Sequence, residues 1–325
     1  MSQNNAPHDE TFQISFIITY YNIAPDMLRQ CVGSIVALDL SPAEREIVVV
    51  DDGSPIDPQP VLEEFGDAVR LVRQENLGVA AARNRGLEEA QGTHIQFVDA
   101  DDCLLKAEYE YCIALARNDR RIDILTLDYL QGKHPVDSRR EATKSACMSG
   151  PEYMLRYNLR GIDWAYLFRR SLLGDLRFTQ GLVHEDEEFV PLLMLRAKRV
   201  VRTTARAYFY RQREDSIVTN RDQAHLQKRR ADMQHIIAGL QEKATTLDEP
   251  EQSALLRRVH QLSMDHIYNA IVLTGDAQVL EQTIGWLRAR GLFPLPDPRY
   301  TLKYSLFRLA TATRVGRRIM LWILS

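Results

Sequence analysis

Four short runs hold the side chains that chemistry needs. Asp99-Ala100-Asp101-Asp102 sets carboxylates one residue apart at the end of an apolar stretch. Asp99 and Asp101 on a turn can share a hard cation, with phosphate oxygens and water filling the other positions. A cation so held neutralises a diphosphate as it leaves. The same acids can equally form a turn capping a helix that starts near Lys106. Asp51-Asp52-Gly53-Ser54 ends a second apolar stretch. There a carboxylate can accept from a nucleobase edge or a ribose hydroxyl, or the run is an Asp-Gly turn leaving a strand. Asn76-Leu77-Gly78 precedes Ala81-Ala82-Arg83-Asn84. Gly78 permits close backbone approach just before a helix N-terminus, a natural place for phosphate. The planar Arg83 fork suits a diphosphate, although an arginine exposed on an amphipathic helix leaves the same local pattern. His184-Glu185-Asp186-Glu187-Glu188 has the acids of a helix start. It lies between Leu182-Val183 and Phe189-Val190-Pro191-Leu192-Leu193, so part of it approaches the core. A carboxylate there is a candidate general base for a hydroxyl.

The surrounding pattern says how these runs are positioned. A nearly continuous apolar run at 14–19 and the stretch at 46–50 read as buried strands, and 69–72 and 95–98 as a third and a fourth strand. Helical spacing over 26–38, after Pro60 and over 79–90 separates them. This alternation predicts an α/β fold, a mainly parallel sheet flanked by helices on both faces. Ligands of such sheets bind beyond the carboxyl ends of the strands. Thr19-Tyr20-Tyr21-Asn22, Asp51-Asp52 and Asp99-Ala100-Asp101-Asp102 each end a strand, so all three should meet at one edge. The pattern loosens from 120 to 220. Beyond it, long helices are expected over 223–246, 251–274 and 277–290, a helical C-terminal extension.

Composition limits the partners. The 325 residues accommodate one large domain with an extension, or two domains. Lysine and arginine total 41 against 44 acids, which gives no general reason to expect nucleic acid. Cys31, Cys103, Cys112 and Cys147 show no zinc-site spacing and read as reduced, mostly buried thiols. The first eleven residues lack a signal-peptide pattern, and no apolar run approaches the ~20 residues that cross a bilayer. A cytoplasmic location is expected.

In order and spacing these motifs resemble glycosyltransferase family 2, of the GT-A fold and of the kind that builds bacterial surface polysaccharides. The resemblance runs from Phe12 to about Ser216. It rests on Ser15-Phe16-Ile17-Ile18-Thr19-Tyr20-Tyr21-Asn22, Val50-Asp51-Asp52-Gly53-Ser54, Asn76-Leu77-Gly78, Ala82-Arg83-Asn84 and Phe97-Val98-Asp99-Ala100-Asp101-Asp102. Trp164 with Leu167-Phe168-Arg169-Arg170, Arg177-Phe178, Glu185-Asp186, Tyr210-Arg211-Gln212-Arg213 and Asp215-Ser216-Ile217 continue it. The resemblance implies a nucleotide-sugar donor, with uridine as the expected base. Thr19, Tyr21 and Asp52 would contact the nucleoside, supported by Asp51, with Asn76, Gly78 and Arg83 beside the donor. Asp99 and Asp101 would hold Mn2+ or Mg2+ against its diphosphate. Asp186 would be the base, with Glu185 orienting it or meeting the acceptor, a saccharide or lipid-linked saccharide. The family transfers with inversion in one displacement, so no nucleophilic residue is nominated. Thr19-Tyr20 replaces the proline and small residue frequent before the first-strand tyrosine, which blurs the nucleobase. A sugar nucleotidyltransferase would carry a glycine-rich basic loop after the first strand, and a dehydrogenase Gly-x-Gly-x-x-Gly; neither is present. A non-catalytic relative that binds nucleotide sugars is the remaining alternative, against which the intact Asp99, Asp101 and Asp186 argue.

The expected division is a tail at 1–11, a catalytic domain at 12–220, a helical extension at 221–298 and a basic amphipathic segment at 299–325. His225, His235, His260 and His266 form no coherent ligand set, and the extension reads as a platform beside the acceptor site or a subunit contact. In the last segment Leu302, Leu306, Leu309, Ile319, Met320, Trp322 and Ile323 interleave with Arg299, Lys303, Arg308, Arg314, Arg317 and Arg318. This is the character of an interfacial helix, which would place the protein peripherally on the inner face of the plasma membrane. A helix packed on the protein with its basic face in solvent has the same sequence.

Overall fold

The computed structural model describes residues 13–136, 141–213, 222–296 and 300–324. The expected tail at 1–11, the boundary at 220, the Asp215-Ser216-Ile217 run and Arg299 lie outside the described residues. The chain divides into two compact units. The described residues 13–153, 160–181 and 185–213 form one; 154–159, 182–184 and those from 222 onward form the other.

The first unit is built on a sheet of eight strands. They are β1 (Ile14–Tyr20), β2 (Arg45–Asp52), β3 (Val69–Gln74), β4 (His94–Asp99), β5 (Cys103–Leu104), β6 (Ile124–Gly132), β7 (Tyr166–Arg169) and β8 (Val200–Arg211). Their order is β3-β2-β1-β4-β7-β6-β8-β5. The four strands expected from sequence pair in parallel. β7 then runs antiparallel to both β4 and β6, β8 runs parallel to β6, and β5 antiparallel to β8. The antiparallel members are short, and a four-residue strand such as β7 shows no readable period.

Helices α1 (Pro25–Val36), α2 (Gln59–Leu62), α3 (Val79–Glu89) and α4 (Lys106–Asn118) follow the parallel strands in turn. The middles of β1 and β2 are apolar because both faces are covered: Phe16, Ile17, Ile18, Val48, Val49 and Val50 are buried. The small residues Ala80, Ala81 and Ala82 let α3 lie close to the sheet, with Ala82 packed on Val48 and Val50. Further along come α5 (Gly150–Arg156), where the two units meet in sequence, and α6 (Asp186–Leu195). α6 is held by aromatic stacking. Phe189 lies face to face with Phe178 at 3.9 Å, and Phe178 meets Phe97 of β4 edge-on at 5.5 Å.

The second unit contains α7 (Gln223–Ala244), α8 (Glu251–Thr274), α9 (Ala277–Ala289), α10 (Leu302–Ala312) and α11 (Arg314–Leu324). α8 is its centre and touches the other four. Leu255, Val259, Leu262, Ile267 and Ile271 of α8 are fully buried. Asp222 and Asp276 cap α7 and α9 by accepting from backbone N–H groups of the first turn. The last segment is two helices. Thr313 is extended (φ −109°, ψ 151°), and its hydroxyl accepts from Gly316 N at 3.0 Å to start the second. No helix among the described residues is long and apolar enough to cross a membrane.

Candidate active site

The register of the parallel strands brings the first two acidic runs together. Thr19 lies beside both Val50 and Asp99, and Tyr20 beside Asp51. Asp51 is fully buried. Its Oδ1 accepts from Ser54 N at 2.9 Å, and its Oδ2 pairs with Arg73 Nε at 3.0 Å. Ser54 Oγ in turn accepts from Asn22 N at 3.0 Å, tying the exit of β1 to that of β2. Tyr21 stands exposed beside this knot.

Asp52 holds the neighbouring loop. Its carboxylate accepts from Gln74 Nε2 at 2.7 Å, Leu77 N at 2.9 Å and Gly78 N at 2.9 Å. Three of roughly four lone-pair positions are thereby filled by protein. Asp52 therefore shapes the Asn76-Leu77-Gly78 loop, and one position is left for a ligand. Two glycines are needed for that shape. Gly78, just before α3, sits at φ 88°, ψ 163°, a region open essentially to glycine alone. At Gly53 (φ 74°) a Cβ would stand 2.7 Å from Asn76 N.

Arg83 is the hub of the site. It is buried in α3, and each arm of its fork meets a carboxylate: Nε meets Asp163 at 2.7 Å, NH1 meets Glu185, and NH2 meets Asp99 at 3.4 Å. Its guanidinium also lies over Phe178 at 5.5 Å. From sequence this fork is expected to reach a diphosphate; in the structure it meets three carboxylates. Burial alone would lower its pKa, but Asp163, Glu185, Asp99 and Asp186 together hold it above the ordinary value. Asn84, the next residue, exchanges two 2.9 Å hydrogen bonds with the Phe178 backbone and so fixes the wall behind Arg83.

Asp163 is the residue that the sequence motifs do not disclose. It opens a 3₁₀ turn (Asp163–Ala165) before β7. Gln96 of β4 anchors the turn by donating to Trp164 O at 2.8 Å. Its nearest signal is the neighbouring Trp164, which stacks on Tyr208 at 4.1 Å. Burial raises the Asp163 pKa; Arg83 opposes that and Glu185 adds to it.

At the end of β4, Asp99 keeps about a third of its side chain open (32%). Desolvation still dominates its ionisation. With Arg83 opposing, and Asp163, Asp101 and Glu185 adding repulsion, its pKa is pushed up to about 7. Asp102 is fully buried, accepting from Tyr208 OH at 2.8 Å and Arg211 N at 2.7 Å. Burial, then Asp99 and Asp101, push it up to about 8. Asp101 pairs with Arg213 Nε at 2.6 Å, just beyond β8, while Arg211 Nε holds the Asp101 carbonyl at 2.7 Å.

These acids suit a hard divalent cation. Asp101 and Asp163 stand close enough to Asp99 to add to the rise that burial gives its pKa, so carboxylate charge gathers at this edge. Among the described residues no cluster of three or more His, Cys, Asp or Glu side chains is set to hold a metal. Asp99 and Asp101 would therefore supply two ligands, with phosphate oxygens and water completing the shell.

The acids of α6 close the site. Glu185, buried, is the N-cap residue, and its carboxylate is taken by Arg83. Asp186 opens the first turn and accepts from Glu187 N at 3.0 Å. Burial raises its pKa well above the usual range, with Glu185, Asp163 and Asp99 adding to the rise and Arg83 opposing it. The end of β4, the turn at Asp163 and the start of α6 thus share one charge network through Arg83.

Residues 15–174 match the family described as Glycosyl transferase family 2. The chain is 28% identical over 218 residues, 63% of its length, to the uncharacterized glycosyltransferase EpsJ of Bacillus subtilis (strain 168). It spans only 62% of that relative's length. The crystal structure of S. aureus TarS 1–349 in complex with UDP-GlcNAc superposes with a TM-score of 0.67 at 19% identity, covering 95% of this chain and 88% of that one. The mannosyltransferase PcManGT from Pyrobaculum calidifontis, in complex with GDP-Man and Mn2+, superposes with a TM-score of 0.55 at 16% identity, covering 96% and 84%. At such identities the likeness to the solved structures shows the fold.

Proposed function

We propose that this chain, whose residues 15–174 match glycosyltransferase family 2, transfers a glycosyl group, with inversion, from a nucleotide-diphospho-sugar to an acceptor hydroxyl. The observation that carries this reading is the meeting of Asp51, Asp52, Asp99 and Asp101 at one sheet edge, linked through Arg83 to Glu185 beside Asp186. Thr19, Tyr21 and the remaining lone pair of Asp52 form the nucleoside side. The loop of Asn76 and Gly78 precedes α3 beside them. The donor is taken as a uridine nucleotide sugar, supported by the UDP-GlcNAc complex of the TarS neighbour. The acceptor is a saccharide or lipid-linked saccharide in polysaccharide or glycolipid assembly.

Asp99 and Asp101 would hold Mn2+ or Mg2+, which when bound neutralises the charge of the departing diphosphate. Arg213 pairs with the same Asp101 carboxylate and would compete with the cation for it. Asp186 is the base. The proton of the acceptor hydroxyl passes to its carboxylate as the hydroxyl oxygen bonds to the anomeric carbon. The bond from that carbon to the phosphate oxygen breaks, and its electron pair leaves with the nucleoside diphosphate. A raised pKa makes Asp186 a stronger proton acceptor than an ordinary aspartate. Glu185, whose Oε1 is held by Arg83, orients Asp186 or meets the acceptor.

Incubation with a panel of uridine and guanosine nucleotide sugars and Mn2+, with nucleoside diphosphate release as readout, tests the donor. Proton NMR of the transferred sugar tests the stereochemistry. The account expects the anomeric configuration opposite to the donor's; a retained configuration overturns the single displacement.

A further inference from the structure

The last helix is turned the wrong way round for a protein surface facing water. A helix packed on a protein buries its apolar stripe and leaves its charges in solvent. The residue that α11 buries is Arg317, at 4% exposure. Its guanidinium pairs with both oxygens of Glu281 on α9, at 2.7 and 3.1 Å, and donates to Thr311 O at 3.0 Å. This bidentate pair fixes the rotation of α11 about its axis. Val315, Ile319, Trp322 and Ile323, spaced i, i+4, i+7 and i+8, consequently point outward, and Trp322 is 85% exposed. Tyr304, Phe307 and Thr311 of α10 face inward, while Leu302, Leu306 and Leu309 form a second outward stripe.

Around these stripes cations are in excess. Lys303, Arg314 and Arg318 are exposed, and residues 300–324 contain no aspartate or glutamate. The acids that reach them come from other helices: Glu281 of α9, already paired with Arg317, acts on Arg314, and Asp265 of α8 acts on Lys303. A second copy of the chain would bring this cationic excess against its own equivalent, which disfavours self-association. A surface that takes both an apolar stripe and an excess of cations is an anionic bilayer. Tryptophan and aliphatic side chains enter the acyl boundary while arginine and lysine meet the headgroups. We infer that the outward faces of α10 and α11 dock the protein peripherally on an anionic lipid surface.

Co-sedimentation of the full chain with phosphatidylcholine vesicles, with and without phosphatidylglycerol, tests this. Binding is expected only when phosphatidylglycerol is present, and it should weaken as salt rises. Each removed cation should weaken binding about fivefold, so R314Q/R318Q should bind about 25-fold more weakly. I319E/W322E should stay in the supernatant. All these positions are exposed, so circular dichroism and Tm should match the unsubstituted protein and separate lost binding from lost folding. Failure of the unsubstituted protein to bind phosphatidylglycerol vesicles at low salt overturns the inference. So does equal binding by I319E/W322E, or a dimer in sedimentation velocity that W322E dissolves.

Discussion

Replacing Arg83 by glutamine tests the hub directly. Asp163 and Glu185 are almost wholly buried, with 1% and 4% of their side chains exposed, and Arg83 is the cation paired with both. Removing one partner of a buried ion pair typically costs about 3–5 kcal/mol, because the other charge stays behind uncompensated. Asp99, about a third open to solvent, adds little. For a unit of about 200 residues each kcal/mol moves Tm by about 2–4 °C, so Arg83→Gln should lower it by about 6–20 °C near neutral pH. The deficit should depend on pH. Without the guanidinium that opposes it, the Asp163 pKa, already raised by burial, rises further above the unfolded value. The folded state then holds more protons between the ordinary carboxylate range and the raised pKa, so stability falls as pH rises through that window. Differential scanning calorimetry at about pH 5 and about pH 8 should show the larger loss at pH 8. Adding Asp163→Asn to Arg83→Gln should restore part of the Tm at pH 8, since one stranded charge is gone. A single variant within 2 °C of the unsubstituted protein, roughly on the scale of a surface substitution, or a deficit independent of pH, would refute the reasoning.

Asp186→Asn should lower the turnover rate by about 10²–10⁴-fold while leaving nucleotide binding intact, as loss of a general base does. Because the Asp186 pKa is raised and the base works ionised, kcat/KM should fall as pH drops through that raised value; stopped initial rates across pH check both statements. Gly78→Ala should cost about 1–3 kcal/mol of stability through its backbone conformation and weaken donor binding with it, read by thermal melts and nucleotide titration. Arg213→Gln removes a partly exposed pair worth at most about 1 kcal/mol. Mn2+ should then bind the nucleotide-free protein a few-fold tighter, as measured by electron paramagnetic resonance of free Mn2+, whereas unchanged or weaker binding would mean that Arg213 does not compete for Asp101.

The parallel half of the fold was legible because its strands are buried on both faces and its helices carry clean periodicity. Ile14–Tyr20 and Glu251–Thr274 are where an apolar run and a helical spacing say they should be. The convergence of Asp51 with Asp99 also followed from topology alone, since successive parallel strands carry their carboxyl ends to one edge. What stayed hidden depends on contacts distant in sequence. Asp163 becomes part of the site through Arg83, and nothing local in its segment announces a buried carboxylate. Asp52 looked like a ligand-binding acid because its neighbours are those of a strand end, yet three of its bonds go to Gln74 and the Leu77–Gly78 backbone. The orientation of α11 was equally hidden. Its residues read as amphipathic either way, and only the Arg317–Glu281 pair decides which side faces out.

The most direct test of the central claim is calorimetric titration of UDP, and separately GDP, with and without Mn2+, into the unsubstituted protein and Asp101→Ala. The account predicts metal-dependent binding of one nucleotide, lost in Asp101→Ala. Binding of neither nucleotide to the folded protein in the presence of Mn2+ would contradict it.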